Sequence, residues 1–97
     1  MLMKYVYLAG PISKPVPQHN VHRAVAAADE LLAHGYAVFL PHLSVLWDMI
    51  SPKDVEAWLT LDFAWIERCD VLVRLPGEST GSDREVAFAR EHGIPVY

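Results

Sequence analysis

The sequence has a single cysteine, Cys69, so no disulfide can form within the chain, and this absence fits a protein of the reducing cytoplasm. It also lacks an excess of basic residues. Eight Lys and Arg against twelve Asp and Glu give a net charge of −4, which argues against binding to a long nucleic-acid backbone. No apolar run approaches the roughly 20 residues of a membrane-spanning helix. We therefore expect a small-molecule ligand, and neither a membrane nor a long nucleic acid as partner.

Apolar residues, in contrast, are abundant: they make up 53% of the 97 residues. The length predicts one domain over residues 1–97. Residues 52–68 are apolar around nearly the whole circumference of the predicted helix, although a sheet can cover only one stripe of it. Because the remainder would be an unusually large exposed patch, we predict a homodimer or homotetramer built on a two-fold contact.

Hydrophobic periodicity predicts strands and helices that alternate along the chain. The predicted strands are residues 4–9, 36–40, 70–75 and 94–97. The predicted helices start at an N-cap and stop near a glycine or a strand, namely after Asn20 as far as Gly35, over 52–68 with Ser51 as cap, and from Ser82 to about 91. A shorter helical turn is expected at 45–49. This order predicts a three-layer α/β fold of the Rossmann or flavodoxin type, with a small parallel sheet of about four to five strands.

The segment that follows the third predicted strand, residues 76–85, has the composition of a ligand-binding loop. It is rich in Gly and Ser and leads into a helix, at the edge of a parallel sheet where ligands and anions bind. The helix carries a carboxylate, Glu85. Its spacing from Ser82 fits a capping box, in which Glu85 bonds back to the N–H of the cap. Alternatively, the helix dipole keeps Glu85 ionised, as a carboxylate nucleophile requires.

Two other motifs in the sequence lack the context that their chemistry requires. Residues 77–81 match G-x-S-x-G, the nucleophile elbow of α/β-hydrolases, but only Asp83 and His92 follow in the order of a triad, and both lie on one short helix. His19 and His22 are one helical turn apart, with no carboxylate or Cys nearby at ligand spacing. We therefore favour neither a serine hydrolase nor a metal site.

Two further residues have an open assignment from spacing alone. Asp62 lies within an apolar stretch and either faces solvent or points into a site. Spacing slightly favours solvent, since Glu56 and Arg68 could share its face. In a site, partial burial would raise its pKa and suit it to act as an acid. Tyr7, in the C-terminal part of the first strand, is either a core or a site residue.

Three segments in order resemble the nucleoside 2-deoxyribosyltransferase-like superfamily. They are Tyr-Leu-Ala-Gly-Pro-Ile-Ser at 7–13, Asp-x-x-Trp-Ile-x-x-Cys-Asp at 62–70, and Ser-x-Gly-x-x-x-Glu at 79–85. The resemblance covers essentially the whole chain. It implies that Glu85 is the nucleophile that attacks C1′ of a 2′-deoxyribose, that Asp62 assists departure of the base, and that Tyr7 orients Glu85.

Within this superfamily the chain looks most like the 2′-deoxynucleoside 5′-phosphate N-hydrolases, and short bacterial and phage relatives of unknown function share its first segment. Ser79 resembles the serine that holds the phosphate in those hydrolases, whereas the transferases carry an aspartate there. Ser13 stands about where the hydrolases have a phosphate-binding arginine, and Lys14 is the substitute beside it. The substrate-binding residues that the resemblance implies are Gly10, Ser13, Lys14, His42, Gly77, Ser79, Gly81 and Ser82.

The activity implied by the resemblance is hydrolysis, or transfer, of the base of a 2′-deoxynucleoside 5′-monophosphate or nucleoside. No cofactor and no metal is expected, because both reacting groups are carboxylates tuned by their environment. The alternative is a non-catalytic module that binds a nucleotide or sugar phosphate, since such a module would need the same loop.

Overall fold

A computed structural model describes residues 4–97, and residues 1–3 of the predicted domain lie outside that range. The predicted α/β class is confirmed. The elements are, in chain order, β1 (Tyr5–Ala9), α1 (Pro17–Ala33), β2 (Ala37–Phe39), a 3-10 helix (Pro41–Leu43), α2 (Ser44–Ile50), α3 (Val55–Ile66), β3 (Val71–Arg74) and α4 (Thr80–Glu91). The expected turn at 45–49 is thus a complete short helix, α2.

The sheet is parallel and has the order β2-β1-β3, which makes β1 the central strand. The prediction of four to five strands is wrong for residues 4–97, because the segment at 94–97 forms only one parallel bridge, between Leu72 and Val96. Leu72 N donates to Pro95 O at 2.9 Å and Tyr97 N donates to Leu72 O at 2.9 Å. Pro95 has no N–H, so it cannot extend this ladder toward the start of β3.

Side chains on β1 alternate between two differently covered faces of the sheet. Leu8 lies beside Ala27 and Leu31 of α1. Tyr7 and Ala9 point the other way and pack in the main core cluster with residues of α3, β3 and α4, namely Ile66, Leu72 and Ala89. The fold therefore has three layers, and the Tyr7 side chain lies in the layer between the sheet and the helix pair α3–α4.

The predicted starts of α1 and α3 are wrong. Helix α1 begins at Pro17, three residues before the predicted cap, and Asn20 is a buried residue within the helix. Helix α3 begins after Asp54 rather than after Ser51, because the Asp54 carboxylate accepts a hydrogen bond from Ala57 N at 2.8 Å. Asp54 is an equally good cap residue and stands directly before the apolar run, which Ser51 does not.

Candidate active site

Three titratable side chains from three separate elements meet between the sheet and the helices α3 and α4. Tyr7 of β1 is 0% exposed, Asp62 of α3 is 7% exposed and Glu85 of α4 is 5% exposed. The Tyr7 hydroxyl donates to Glu85 Oε2 at 2.5 Å. The Asp62 carboxyl group lies close enough to both of the other side chains to raise their pKa values. The structure thus brings together the three residues that the resemblance marks as catalytic.

Helical spacing explains how both carboxyl groups become buried. On α3 the buried residues are Leu59, Asp62 and Ile66, which are three and four positions apart and therefore share one face. The solvent-facing interpretation of Asp62 is wrong, because this face packs inward and Asp62 is buried together with Leu59 and Ile66. On α4, Glu85 shares its inward face with Ala89 in the same way.

The capping-box interpretation of Glu85 is also wrong. Helix α4 starts three residues earlier than predicted, because its N-cap is Ser79, whose Oγ accepts a hydrogen bond from Ser82 N at 3.0 Å. Ser82, the predicted cap, is a buried residue of the first helical turn. Glu85 therefore lies beyond the position from which a side chain can reach the N–H of the cap, and its carboxyl group contacts Tyr7 instead.

The electrostatics of the cluster differ from the expectation that the helix dipole keeps Glu85 ionised. Burial raises the pKa of Glu85 to about 8, the neighbouring Asp62 adds to the rise, and the hydrogen bond from Tyr7 opposes it. Burial likewise raises the pKa of Asp62. The dipole acts mainly on groups in the first turn of a helix, and Glu85 lies in the second turn of α4. Two buried, adjacent carboxyl groups cannot both ionise at low cost, which favours a state in which the pair retains a proton.

Arg74 is a candidate site residue that sequence analysis missed. It ends β3, and its guanidinium donates to Leu75 O and, at 2.9 Å, to Gly77 O, while it pairs with Asp83 Oδ1 at 3.1 Å. Its positive charge also lowers the pKa of Glu85. The sequence signal that could have identified Arg74 is the alternation along β3, because residue 74 shares its sheet face with the buried Leu72. A charged residue at such a position fixes the following loop and places a cation beside the carboxyl pair.

Glycines allow the loops after β1 and β3 to touch at the carboxyl edge of the sheet. Gly77 has φ +119°, and a Cβ there would lie 2.8 Å from Pro11 Cγ. A Cβ on Gly10 would lie 3.0 Å from Leu75 Cβ. These two predicted site residues therefore act by permitting close contact between the loops. Gly81 differs, because within residues 4–97 a Cβ there would meet only Ser79 Oγ, at 3.9 Å.

The other predicted substrate-binding residues lie on these same loops or behind them. Ser13 and Lys14 are exposed on the loop after β1. His42 is 1% exposed, and its Nε2 lies 3.1 Å from Pro11 O. Burial lowers the pKa of His42, so the ring is neutral and Nε2 carries the proton that it donates. In this structure His42 thus supports the first loop from behind, and direct contact with a ligand stays a prediction.

We expect Gly77→Ala to lower the free energy of unfolding by about 1–3 kcal/mol, because an L residue is strained at this φ and its Cβ would collide with Pro11. Chemical denaturation measures the effect. Gly81→Ala is the matched control: Gly81 lies within α4, where Ala is neutral or stabilising. A Gly77→Ala variant as stable as the Gly81→Ala variant would show that the contact between the two loops is not tight.

The residues of both loops and of the carboxyl cluster fall within one family match. The domain of unknown function DUF4406 matches residues 4–97. The chain belongs to the DUF4406 family. No curated protein sequence matches it. Because the description of the DUF4406 family names no activity, membership of the nucleoside 2-deoxyribosyltransferase-like superfamily stays a prediction, and the function of this DUF4406 domain has to be argued from its site.

Proposed function

We propose that this protein is an N-glycosidase that removes, or transfers, the base of a 2′-deoxynucleoside 5′-monophosphate or of the corresponding nucleoside. The observation that carries the proposal is the buried cluster of Tyr7, Asp62 and Glu85. Two carboxyl groups that share one proton, with one of them oriented by a hydroxyl donor, supply both the acid and the nucleophile of a retaining glycosidase.

In the first step of the proposed reaction, a carboxylate oxygen of Glu85 attacks C1′ of the deoxyribose. The bond from C1′ to the base nitrogen breaks, its electron pair stays with the base, and Asp62 donates a proton to the base. In the second step, water attacks C1′, Asp62 accepts the proton of that water, and the Glu85 carboxylate leaves. A second base takes the place of water if the reaction is a transfer.

The proton shared by the carboxyl pair is what this sequence of steps requires. Burial keeps one proton on Asp62 and Glu85 at neutral pH, as their raised pKa values indicate. Positive charge that develops on the sugar favours the state in which Glu85 carries the negative charge and Asp62 the proton. Tyr7 holds Oε2 of Glu85, and we assign the attack on C1′ to the other carboxylate oxygen.

Features of the carboxyl edge support a phosphorylated substrate. In the first turn of α4, Ser82 N donates to the capping residue Ser79, so the N–H groups of Thr80 and Gly81 are those left for an anion. Lys14 is exposed on the facing loop, and Arg74 pairs with Asp83 in the first turn of α4. An uncharged nucleoside would use fewer of these groups, and for that reason we favour the monophosphate.

The proposal is tested by incubating the protein with the four 2′-deoxynucleoside 5′-monophosphates, the four nucleosides and the matching ribonucleotides, and then separating free base by chromatography. We expect release from at least one deoxynucleoside monophosphate, and faster release than from its nucleoside. Binding of these ligands without release of base would instead identify the non-catalytic nucleotide-binding module.

We also propose that the protein is a homodimer or homotetramer, for which exposed apolar side chains are the support. Met49 and Ile50 of α2 are 74% and 87% exposed, and Val55 at the start of α3 is 67% exposed. Among residues 4–97, no helix is long and apolar enough to cross a membrane. An apolar surface of this kind on adjoining elements is typical of an interface between protein chains.

We expect Ile50→Glu to yield a folded monomer, because a buried unpaired charge at the interface costs more than the contact gains. Light scattering at micromolar concentration measures the mass, and circular dichroism confirms the fold. Leu32→Glu is the control, since Leu32 is 58% exposed on α1, in the opposite layer. A monomeric wild-type protein, or equal dissociation by both variants, would contradict the proposed interface.

A further inference from the structure

The loop between β1 and α1, residues 10–16, is attached to the body of the protein by two buried polar side chains. Asn20 is 3% exposed, and its Nδ2 donates to Ile12 O at 3.1 Å and to Lys14 O at 2.8 Å. On the other side, His42 Nε2 donates to Pro11 O at 3.1 Å. The carbonyl groups of Pro11, Ile12 and Lys14 thus accept hydrogen bonds from buried side chains outside the loop.

Asn20 occupies a position that helix α1 would normally fill with an apolar residue. It faces inward on the same side as Ala24, one turn later, which is 0% exposed. Asn in the interior of a helix is unfavourable, because its amide competes with backbone hydrogen bonds, and burying that amide costs free energy unless it is hydrogen-bonded. Its amide nitrogen donates only to loop carbonyls, while its Oδ1 accepts a longer hydrogen bond, 3.4 Å, from Arg23 Nη2. The donor side of the residue therefore serves the loop.

The two carbonyls that Asn20 holds belong to the residues on either side of Ser13. One amide group that bonds to both of them fixes the direction in which the intervening residue points. Ser13 is exposed, as is Lys14, so both present their side chains outward. The loop also contacts the loop after β3, because Pro11 lies against Gly77, and it therefore stands opposite the start of α4.

We propose that Asn20 is a positioning residue that holds Ser13 and Lys14 in the arrangement that receives the 5′-phosphate of the substrate, with His42 as a second attachment point. The inference rests on the proposed function, since it assigns the loop to the phosphate. Asn20 does not touch the ligand. Its loss is therefore expected to affect nucleotides and to spare nucleosides, which have no phosphate for the loop to bind.

The test uses Asn20→Asp and Asn20→Ala in the full chain. Asn20→Asp keeps the shape of the side chain but sets a carboxylate oxygen against two carbonyl oxygens, and Asn20→Ala removes the donor without that repulsion. Gln18→Ala is the control, because Gln18 is an exposed residue of the same helix. Thermal unfolding establishes that each variant is folded.

Calorimetry then compares the affinity for the deoxynucleoside monophosphate that the wild type binds best with the affinity for its nucleoside. We expect both Asn20 variants to bind the nucleotide about tenfold more weakly, as the loss of two hydrogen bonds implies, with nucleoside affinity and the Gln18 control unchanged within about twofold. KM for the nucleotide should rise while kcat stays the same. Equal loss for nucleotide and nucleoside, or no loss at all, would overturn the inference.

A second measurement separates this inference from the proposed function. Hydrogen exchange of the Ser13 and Lys14 amides, followed by NMR on the free protein, is expected to speed up in both Asn20 variants and not in Gln18→Ala. If the wild type binds nucleotide but releases no base, the glycosidase proposal fails and the assignment of Asn20 still stands. Unchanged exchange in a folded Asn20→Ala variant would overturn the assignment whatever the activity.

Discussion

Glu85→Gln is expected to abolish release of base, by at least about a thousandfold in kcat, and to leave the fold intact. The amide oxygen of Gln can still accept the hydrogen bond of Tyr7, so the buried contact survives. The neutral amide cannot attack C1′ or stabilise a cationic sugar. Chromatography of free base measures the effect, and Glu78→Gln, an exposed change in the preceding loop, is the control. Near-normal turnover by Glu85→Gln would remove Glu85 from the chemistry.

The same variant is expected to change how stability depends on pH. In the wild type, burial raises the pKa of Glu85 from its ordinary value of 4.5 to about 8, so the folded state holds this proton more tightly than the unfolded state. The free energy of unfolding therefore falls as pH rises from about 5 to about 8, by a few kcal/mol. Glu85→Gln has no such proton, and its stability should be flatter across this range and higher than that of the wild type above it.

Urea denaturation at pH values below, within and above this range measures the slope of stability against pH. The Glu78→Gln control loses a carboxyl group too, but an exposed one, and should keep the slope of the wild type. If Glu85→Gln also keeps that slope, Glu85 is not the buried group that takes up the proton.

Asp62→Asn is expected to slow release of natural bases by about 10² to 10⁴-fold, the usual contribution of a general acid. The amide cannot give a proton to the departing base, although it keeps the size of the side chain. A substrate whose leaving group departs as a stable anion, such as 4-nitrophenyl 2-deoxyriboside 5-phosphate, needs no such proton. Formation of the glycosyl-enzyme from that substrate should be reduced by less than about tenfold, since only the acid's role is bypassed.

The comparison of kcat/KM for the two leaving groups separates the role of an acid from a structural role. Glu78→Gln, an exposed change in the loop before α4, controls for the loss of one negative charge near the site. An equal loss with both leaving groups would assign Asp62 to the folding of the cluster and not to proton transfer.

Sequence periodicity was sufficient for β1, β2, β3 and the three layers, because a buried parallel strand has a continuous apolar run and each helix has an apolar stripe. It was not sufficient for the number of strands, since the segment at 94–97 forms only one bridge. Helix starts were less predictable. Ser51 and Asp54 are both good caps, and which of them bonds depends on where the helix docks on the sheet. The same competition, between Ser79 and Ser82 at the start of α4, led to the incorrect capping-box assignment of Glu85.

The candidate catalytic residues were found through the resemblance, whereas their mutual contact depends on tertiary structure. Tyr7, Asp62 and Glu85 lie on three elements far apart in the chain, and no spacing rule relates them. Burial of the carboxyl groups, and hence the direction in which their pKa values shift, follows from the packing of α3 and α4. The contacts of Arg74 and Asn20 with the loops also require the loops to be placed, because their partners there are backbone carbonyls, which have no signature in a sequence.

The most direct test of the central claim, that Glu85 forms a bond to C1′, is the mass of the protein after acid quenching. Asp62→Asn incubated with 4-nitrophenyl 2-deoxyriboside 5-phosphate should accumulate the glycosyl-enzyme, because Asp62 also assists the attack of water in the second step. We predict a mass increase of one 2-deoxyribose 5-phosphate unit, located by peptide mapping on Glu85 and absent when Glu85 is also replaced by Gln. Release of 4-nitrophenol without any adduct, or an adduct on another residue, would contradict the account.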